Sequence, residues 1–343
     1  MRGMNKLDTK TRAQILAMLC EGASMRSVSR LTDTSINTVS KLLVDAGRFC
    51  AGFHDAKVRG VKAKRVLVDE AWAFRYSKEK NVATAKAAPD GAGDVWTWTA
   101  IDADTKLLIS HFCGGRDGEC ASWFINDVAE RVATRIQLTS DGHKAYLEAV
   151  EGAFGADIDY AMLIKMYGNA PESFKGRYSP AECTGIKKTA IEGKPDMAHV
   201  STSYVERSNL TLRIANRRFT RLTNAFSKKF ENHSHMVAIY AVWYNFLRIH
   251  KTLRVTPAMA AGICDTLITW EQIVEAMDAD APKPGPRGPY KKIPRIKFKL
   301  RHYRSVKRVA ETSNLDYDVE VGGPCRMTIR IFGTSSRLTR QSS

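Results

Sequence analysis

The chain has 343 residues, 44% hydrophobic and 26% charged, the make-up of an ordinary globular protein with room for two or three domains. It contains no run of eighteen apolar residues, which argues against a transmembrane helix, and its N-terminus, MRGMNKLDTKTRAQ, lacks the apolar core of a secretory signal. A net charge of +17 favours a polyanionic partner, but eleven of the cations lie between Lys283 and Arg308, where there is no Asp or Glu, so the rest of the chain carries only +6.

Taken in order, Asp8 to Glu21 places Ala13, Ile15, Leu16 and Leu19 at helical spacing, with Asp8 or Thr9 as N-cap. A second short helix fits Met25 to Leu31. After a tight turn at Thr32-Asp33-Thr34, Ser35 caps a third over Ile36 to Ala46. Three short helices with a tight second turn predict a helix-turn-helix DNA-binding domain over residues 1–50. Asn37, Thr38, Ser40 and Lys41 of its last helix are hydrogen-bonding types suited to base edges and phosphates. A small helical bundle that packs on the next domain is the competing reading.

Residues 51–64 read as a linker. Then comes KRVLVDEAWAF, in which the apolar run Val66-Leu67-Val68 predicts a strand buried on both faces and ending on Asp69. Two further strands, Val95 to Ile101 and Leu107 to Phe112, flank a hairpin turn at Asp102 to Lys106. A helix over Ala121 to Ala133 leads to a strand from Arg135 to Ser140, of the same design as the first and ending on Asp141. A helix from about His143 to Val150, a strand over Ile158 to Met166 and a loop region from Gly168 to Val200 follow. Helices over Ser203 to Phe219 and His233 to His250 complete the domain.

Three strands, helix, strand, helix, strand and two helices is the order of a ribonuclease-H-like α/β fold, expected here over residues 65–270. The basic, Pro/Gly-led stretch at 280–343 reads as a tail. In it Arg295 to Arg301 alternates basic and apolar residues, as a one-faced strand or an extended arm does.

Carboxylates at the ends of the first and fourth strands would lie on neighbouring strands, and Glu206 in the following helix could reach the same point. Such a cluster repels itself unless a cation is bound, and oxygen ligands select Mg²⁺ or Mn²⁺. Two such ions can activate a water or 3′-hydroxyl and stabilise the leaving oxygen of a phosphodiester. Asn209 and Arg213 share a helix face with Glu206, so Arg213 is placed to contact a phosphate, and Arg217 extends the basic face. A solvated basic face is the alternative. Glu70 is set aside because adjacent strand residues point to opposite faces.

The seven cysteines form no CxxC pair, so the sequence does not support a zinc ribbon. Reduced thiols in a cytoplasmic protein are the expectation.

VLVDEAW around Asp69, TSDGHKAY around Asp141, YVERSNLTLR around Glu206 and WYNFLRIHKTLRVTPAMAAGI from Trp243 together resemble bacterial insertion-sequence transposases of the DDE type, most closely the insertion sequence one family. The resemblance covers roughly residues 24 to 265. It implies that Asp69, Asp141 and Glu206 form the metal-binding catalytic triad. It implies also that the protein binds the inverted-repeat ends of its element as a homo-oligomer, cleaves the DNA and transfers the strands. The zinc finger that often precedes the helix-turn-helix in that family has no cysteine set here, and the basic tail has no counterpart. A transposase-derived DNA-binding regulator without catalysis, and a stand-alone nuclease of the same fold, are the rival functions.

Overall fold

The computed structural model describes residues 6–168, 183–220, 223–282, 316–322 and 326–332. Two compact units divide the chain at Ala281 and Pro282. In the second, β7 (Asp316–Gly322) and β8 (Arg326–Phe332) pair as an antiparallel hairpin. The stretch Arg295 to Arg301, expected as an arm or strand, lies outside the described residues.

In the first unit a six-stranded sheet runs in the order β3-β2-β1-β4-β5-β6. Its strands are β1 (Arg65–Arg75), β2 (Gly93–Asp102), β3 (Leu108–Gly114), β4 (Gln137–Ser140), β5 (Asp159–Tyr167) and β6 (Cys183–Glu192). The first three are antiparallel, while β4 and β5 run parallel to β1. That mixed α/β arrangement is compatible with a ribonuclease-H-like fold. Val66, Leu67 and Val68 are buried because β1 has strand neighbours on both edges and helices on both faces.

The alternation along β2 defines the two helical layers. Trp98 points to one face, where it packs on Phe124 of α4 (Gly118–Arg131) and Tyr146 of α5 (Ala145–Phe154). Thr97 and Thr99 point to the other face. There they meet His233 of α7 (Phe230–Val242) and Asn209 of α6 (Ser203–Ala215). His233 is buried between Thr97 and Ser227, and burial holds its pKa down at about 3, which suits a packing role. Helix α7 passes into a π-helical turn, Trp243–Leu247, so His250 lies beyond the helix expected to contain it. Asp102 accepts hydrogen bonds from Asp104 and Thr105 within its turn, the backbone role expected of it.

Several expected boundaries move. Strand β1 continues six residues past Asp69, because β2 goes on pairing with it to Arg75 after β4 has stopped. The loop region from Gly168 to Val200 contains β6, which pairs with β5 at the sheet edge. The N-terminal helices are α1 (Thr9–Cys20, capped by Asp8), α2 (Met25–Leu31) and α3 (Ile36–Lys57, capped by Ser35). Asp33 takes the left-handed backbone that its turn requires (φ 47°). Helix α3 is twice the expected length and absorbs the first half of the stretch read as a linker, because it packs along α7. Where they cross, a Cβ on Gly47 would lie 2.3 Å from His235 Cβ. The short α8 (Pro257–Ala260) follows the π turn, and α9 (Trp270–Asp280) extends the unit beyond the boundary expected at residue 270. Helix α9 is held to α1 by Arg12, which donates to both carboxylate oxygens of Asp278 at 2.7 and 2.8 Å. One apolar core runs from Ala13 in α1 to Met277 in α9.

Candidate active site

The register of β1 on β4 pairs Arg65 with Gln137, Val66 with Leu138 and Leu67 with Thr139. Two steps further along the same register, Asp69 and Asp141 stand side by side, where β4 has ended and β1 loses its neighbour. A gap at the carboxyl ends of parallel strands is where α/β sheets accept ligands. Here it forms a cavity of ≈ 690 Å³ lined by Asp69, Glu70, Arg116, Asp141, Lys165, Glu206 and Arg213, among others.

One carboxylate oxygen from each of Asp69, Glu70 and Asp141 lies within 4.8 Å of the other two. This corrects the exclusion of Glu70. Glu70 does face the opposite way, being level with Trp98 on the α4/α5 side, while Asp69 is level with Thr99 on the α6 side. Because no strand lies on the β4 side of β1 at this level, the cavity is open to both faces of the sheet, and both side chains reach it.

Asn209 fixes Asp69. Its Nδ2 donates to Asp69 Oδ2 at 2.9 Å, and its Oδ1 accepts from the Thr99 hydroxyl at 2.9 Å, which sets the amide's orientation. The His143 backbone N–H donates to Asp141 Oδ1 at 2.9 Å. Arg116, from the β3–α4 loop, holds Glu70 through Nε (3.3 Å) and Nη2 (3.2 Å). Its Nη2 is also 3.7 Å from Asp141 Oδ2, and its guanidinium lies 4.7 Å above the Trp96 ring. Arg116 was not legible in the sequence, where it sits in a Gly-Gly-Arg-Asp loop without periodic context.

Glu206 enters the same cavity from the first turn of α6, but it stands apart from the three clustered carboxylates. Its Oε1 accepts from Lys165 Nζ of β5 and from the Thr202 hydroxyl (2.5 Å). Arg213, two turns along the same face, also lines the cavity.

Burial dominates the electrostatics. It raises Asp69 to about 6; the Asn209 bond and the Glu70 backbone amide work against it, and the charges of Asp141 and Glu206 add to it. Burial likewise raises Glu70 to about 7, with Arg116 opposing and Asp141 and Asp69 reinforcing. The Tyr146 hydroxyl also favours the ionised Glu70, yet without full hydrogen-bond geometry. Glu70 Oε1 and Tyr146 Oη are both buried without a partner that meets it.

An all-oxygen set of crowded, partly desolvated carboxylates, one of them with an unpartnered oxygen, fits a hard divalent cation. Among the described residues, no other group of three His, Cys, Asp or Glu side chains is close enough to share an ion.

The remaining expected residues lie elsewhere. Asn37, Thr38 and Lys41 are exposed on α3 and Ser40 is half-buried; none lines this cavity. Arg217 is exposed and lines a second cavity beyond the end of α6.

No protein-family model matches the chain, and no curated protein matches it. Among solved structures, it is similar to the piggyBac transposase in a synaptic complex with hairpin DNA. The identity is 9% and the TM-score 0.33, over 81% of this chain and 72% of that one. At that TM-score the likeness settles neither fold nor function, which rest on the chain's own geometry.

Proposed function

We propose that the chain is a DDE-type transposase, which cleaves the ends of its element and joins them to target DNA in a reaction that depends on Mg²⁺ or Mn²⁺. The observation that carries this reading is the register placing Asp69 beside Asp141 at the mouth of a cavity that Glu206 enters from α6. Asp69, Asp141 and Glu206 are the proposed catalytic triad, with Asp69 and Asp141 the central metal ligands. Glu70 is a further ligand that the register makes available.

A bound divalent ion would supply Lewis-acid activation of the attacking oxygen and neutralise the leaving one. The chain's own residues do the rest. Asn209 holds Asp69 with one oxygen turned away from its amide, and Arg116 keeps Glu70 and Asp141 together against their mutual repulsion. Arg213 places positive charge on the wall where a phosphate would lie. Lys165 holds Glu206 and must share it when a substrate phosphate enters.

The exposed Asn37, Thr38 and Lys41, with Ser40 at the margin, support a helix-turn-helix role for α2 and α3 in end recognition. They are polar side chains on the free face of a helix whose other face is buried. Holding two element ends together calls for a homo-oligomer.

The Lys165–Glu206 pair favours one second reading, a DNA-binding regulator in which the third carboxylate is permanently occupied. Strand transfer separates the two. Duplexes from the DNA flanking the reading frame, incubated with a supercoiled target and Mg²⁺, should yield joined products. Tight binding of those duplexes with no joined or nicked product would favour the regulator.

A further inference from the structure

The second cavity, ≈ 590 Å³, lies between the N-terminal helices and the chain that leaves α6. Arg26, Arg217, Arg218, Lys228 and Lys229 line it, and none of its lining residues is acidic. Among the described residues, none of these five cations forms an ion pair. Cationic side chains that surround a concavity without carboxylates are held against their own repulsion, which an anion would relieve.

Two details make this more than a charged surface. Arg218 is enclosed enough that burial lowers its pKa to about 10, yet its guanidinium donates only to neutral groups, Ser227 Oγ (3.2 Å) and Met25 Sδ (3.8 Å). Asn216, 1% exposed, uses its Oδ1 to accept from the Arg218 backbone N–H at 3.1 Å, so its orientation is fixed and Nδ2 is the remaining donor. That Nδ2 is buried and has no partner. A buried amide donor and an enclosed guanidinium without a carboxylate both lack an oxyanion.

Close contacts hold the walls. Gly22, in the left-handed region (φ +74°), closes the α1–α2 turn onto the end of α6, where a Cβ would lie 2.7 Å from Ile214 O. Opposite, Phe226 stacks on Phe74 of β1 at 5.2 Å between ring centroids, and the Tyr76 N–H donates to Ser227 O at 2.8 Å.

We propose that this cavity binds a backbone phosphate of DNA. Its place argues for a phosphodiester rather than a free anion, because α6 joins it to the carboxylate cavity. Glu206 and Arg213 line the first, and Asn216 and Arg217 begin the second within one turn of Arg213. A strand lying along α6 would meet both. The identity of the anion rests on the transposase reading; the existence of the site does not.

The test is a binding measurement in EDTA, so cleavage plays no part in it. Anisotropy of a fluorescent duplex is followed against salt, from about 50 to 200 mM, for the full chain and two triple variants. One is Arg217→Ala, Lys228→Ala, Lys229→Ala. The other, a charge-matched control on exposed lysines elsewhere, is Lys10→Ala, Lys62→Ala, Lys80→Ala. The cavity variant should weaken binding roughly tenfold or more at the low-salt end, and flatten the slope of log K against log salt by about 2 to 3. The control should change it by less than about 1.

Equal slopes for the two variants would overturn the proposal. So would a thermal stabilisation by inorganic phosphate, beyond that of chloride at equal ionic strength, that the cavity variant abolishes while its DNA slope stays unchanged; that result would assign the site to a free anion. Failure here with cleavage intact leaves the transposase reading standing. A flattened slope with no cleavage by the wild type leaves this site standing and removes that reading.

Discussion

Asn209 Nδ2 donates to Asp69 Oδ2 at 2.9 Å across the interface between α6 and β1, and this bond gives the Asp69 carboxylate a fixed direction. The same amide accepts from Thr99, so the helix, the central strand and its neighbour are joined at one point. Asn209→Ala should leave the Thr99 hydroxyl with only its longer bond to Asp69 O (3.2 Å) and the Asp69 side chain free to rotate. Chemical unfolding should show a loss of about 1–3 kcal/mol. Divalent-ion affinity, read by titration calorimetry, should fall about 10-fold or more, as for other outer-shell partners.

Glu70 and Asp69 make the metal-free protein less stable as pH rises. Each has a folded-state pKa raised by burial, to about 7 and about 6. A raised acid binds its proton more tightly when folded, so its stabilising contribution is complete below the unfolded pKa of about 4 and is lost as pH rises through 6 to 7. His54, His111 and His233, whose pKa values burial lowers, act on the total in the opposite sense, so the carboxylate share is read as a difference between proteins. In EDTA, Glu70→Gln should gain more Tm over the wild type at pH 8 than at pH 5, and Mg²⁺ should narrow that difference. Glu70→Gln should raise the pH 8 stability by about 1 kcal/mol, part of the gain being offset by the lost Arg116 pair. A Glu70→Gln gain that is the same at pH 5 and pH 8 in EDTA would contradict the assignment.

Among the described residues, Arg116 is the one cation that spans two of the three clustered carboxylates. Arg116→Ala should destabilise the metal-free protein by roughly 1–3 kcal/mol, through the uncompensated Glu70 and the lost contact with Trp96. Mg²⁺ should restore more stability to this variant than to the wild type, and paired melts with and without the ion measure that.

Arg218 is enclosed without a carboxylate, so its charge serves something outside the fold. Arg218→Met keeps most of the volume and removes the charge. It should leave Tm unchanged or raise it, as replacing a buried ionic group with an apolar one often does.

Gly47 marks the crossing of α3 and α7, with a Cβ position 2.3 Å from His235 Cβ. Gly47→Ala should cost about 1–3 kcal/mol by overpacking, visible as a lower denaturant midpoint. An unchanged midpoint would mean that the N-terminal helices are not seated on the sheet domain as described.

What could be read from the residues follows what burial imposes on them. Val66 to Val68 lie on a central strand with both faces covered, so an unbroken apolar run betrayed them. The continuation of β1 was hidden because its far half has a neighbour on one edge only, and Asp69-Glu70 interrupts its apolar pattern. Strand β6 was hidden for a simpler reason. It is an edge strand, largely exposed, and CTGIKKTAIE has no buried face to impose a period. The amphipathic α9, with Trp270, Ile273, Val274 and Met277 buried, did carry a helical period. Asp69, Asp141 and Glu206 were nameable as types at strand ends and on a helix. The partners Arg116 and Lys165 are fixed only by how loops and strands meet in space, which spacing does not encode.

The central claim is that the Asp69–Asp141 cavity cuts DNA with a divalent ion, and strand nicking tests it most directly. Wild type, Asp69→Ala, Asp141→Asn, Glu206→Gln and Glu70→Gln would each be incubated with DNA from the flanks of the reading frame, in Mg²⁺, Mn²⁺ or EDTA. Folding and DNA binding would be checked in parallel. The account predicts metal-dependent nicking by the wild type, none in EDTA, and a loss of about 100-fold or more in the Asp69, Asp141 and Glu206 variants while binding persists. Wild type that binds these ends and never nicks with either ion, or Asp69→Ala that nicks at the wild-type rate, would contradict it.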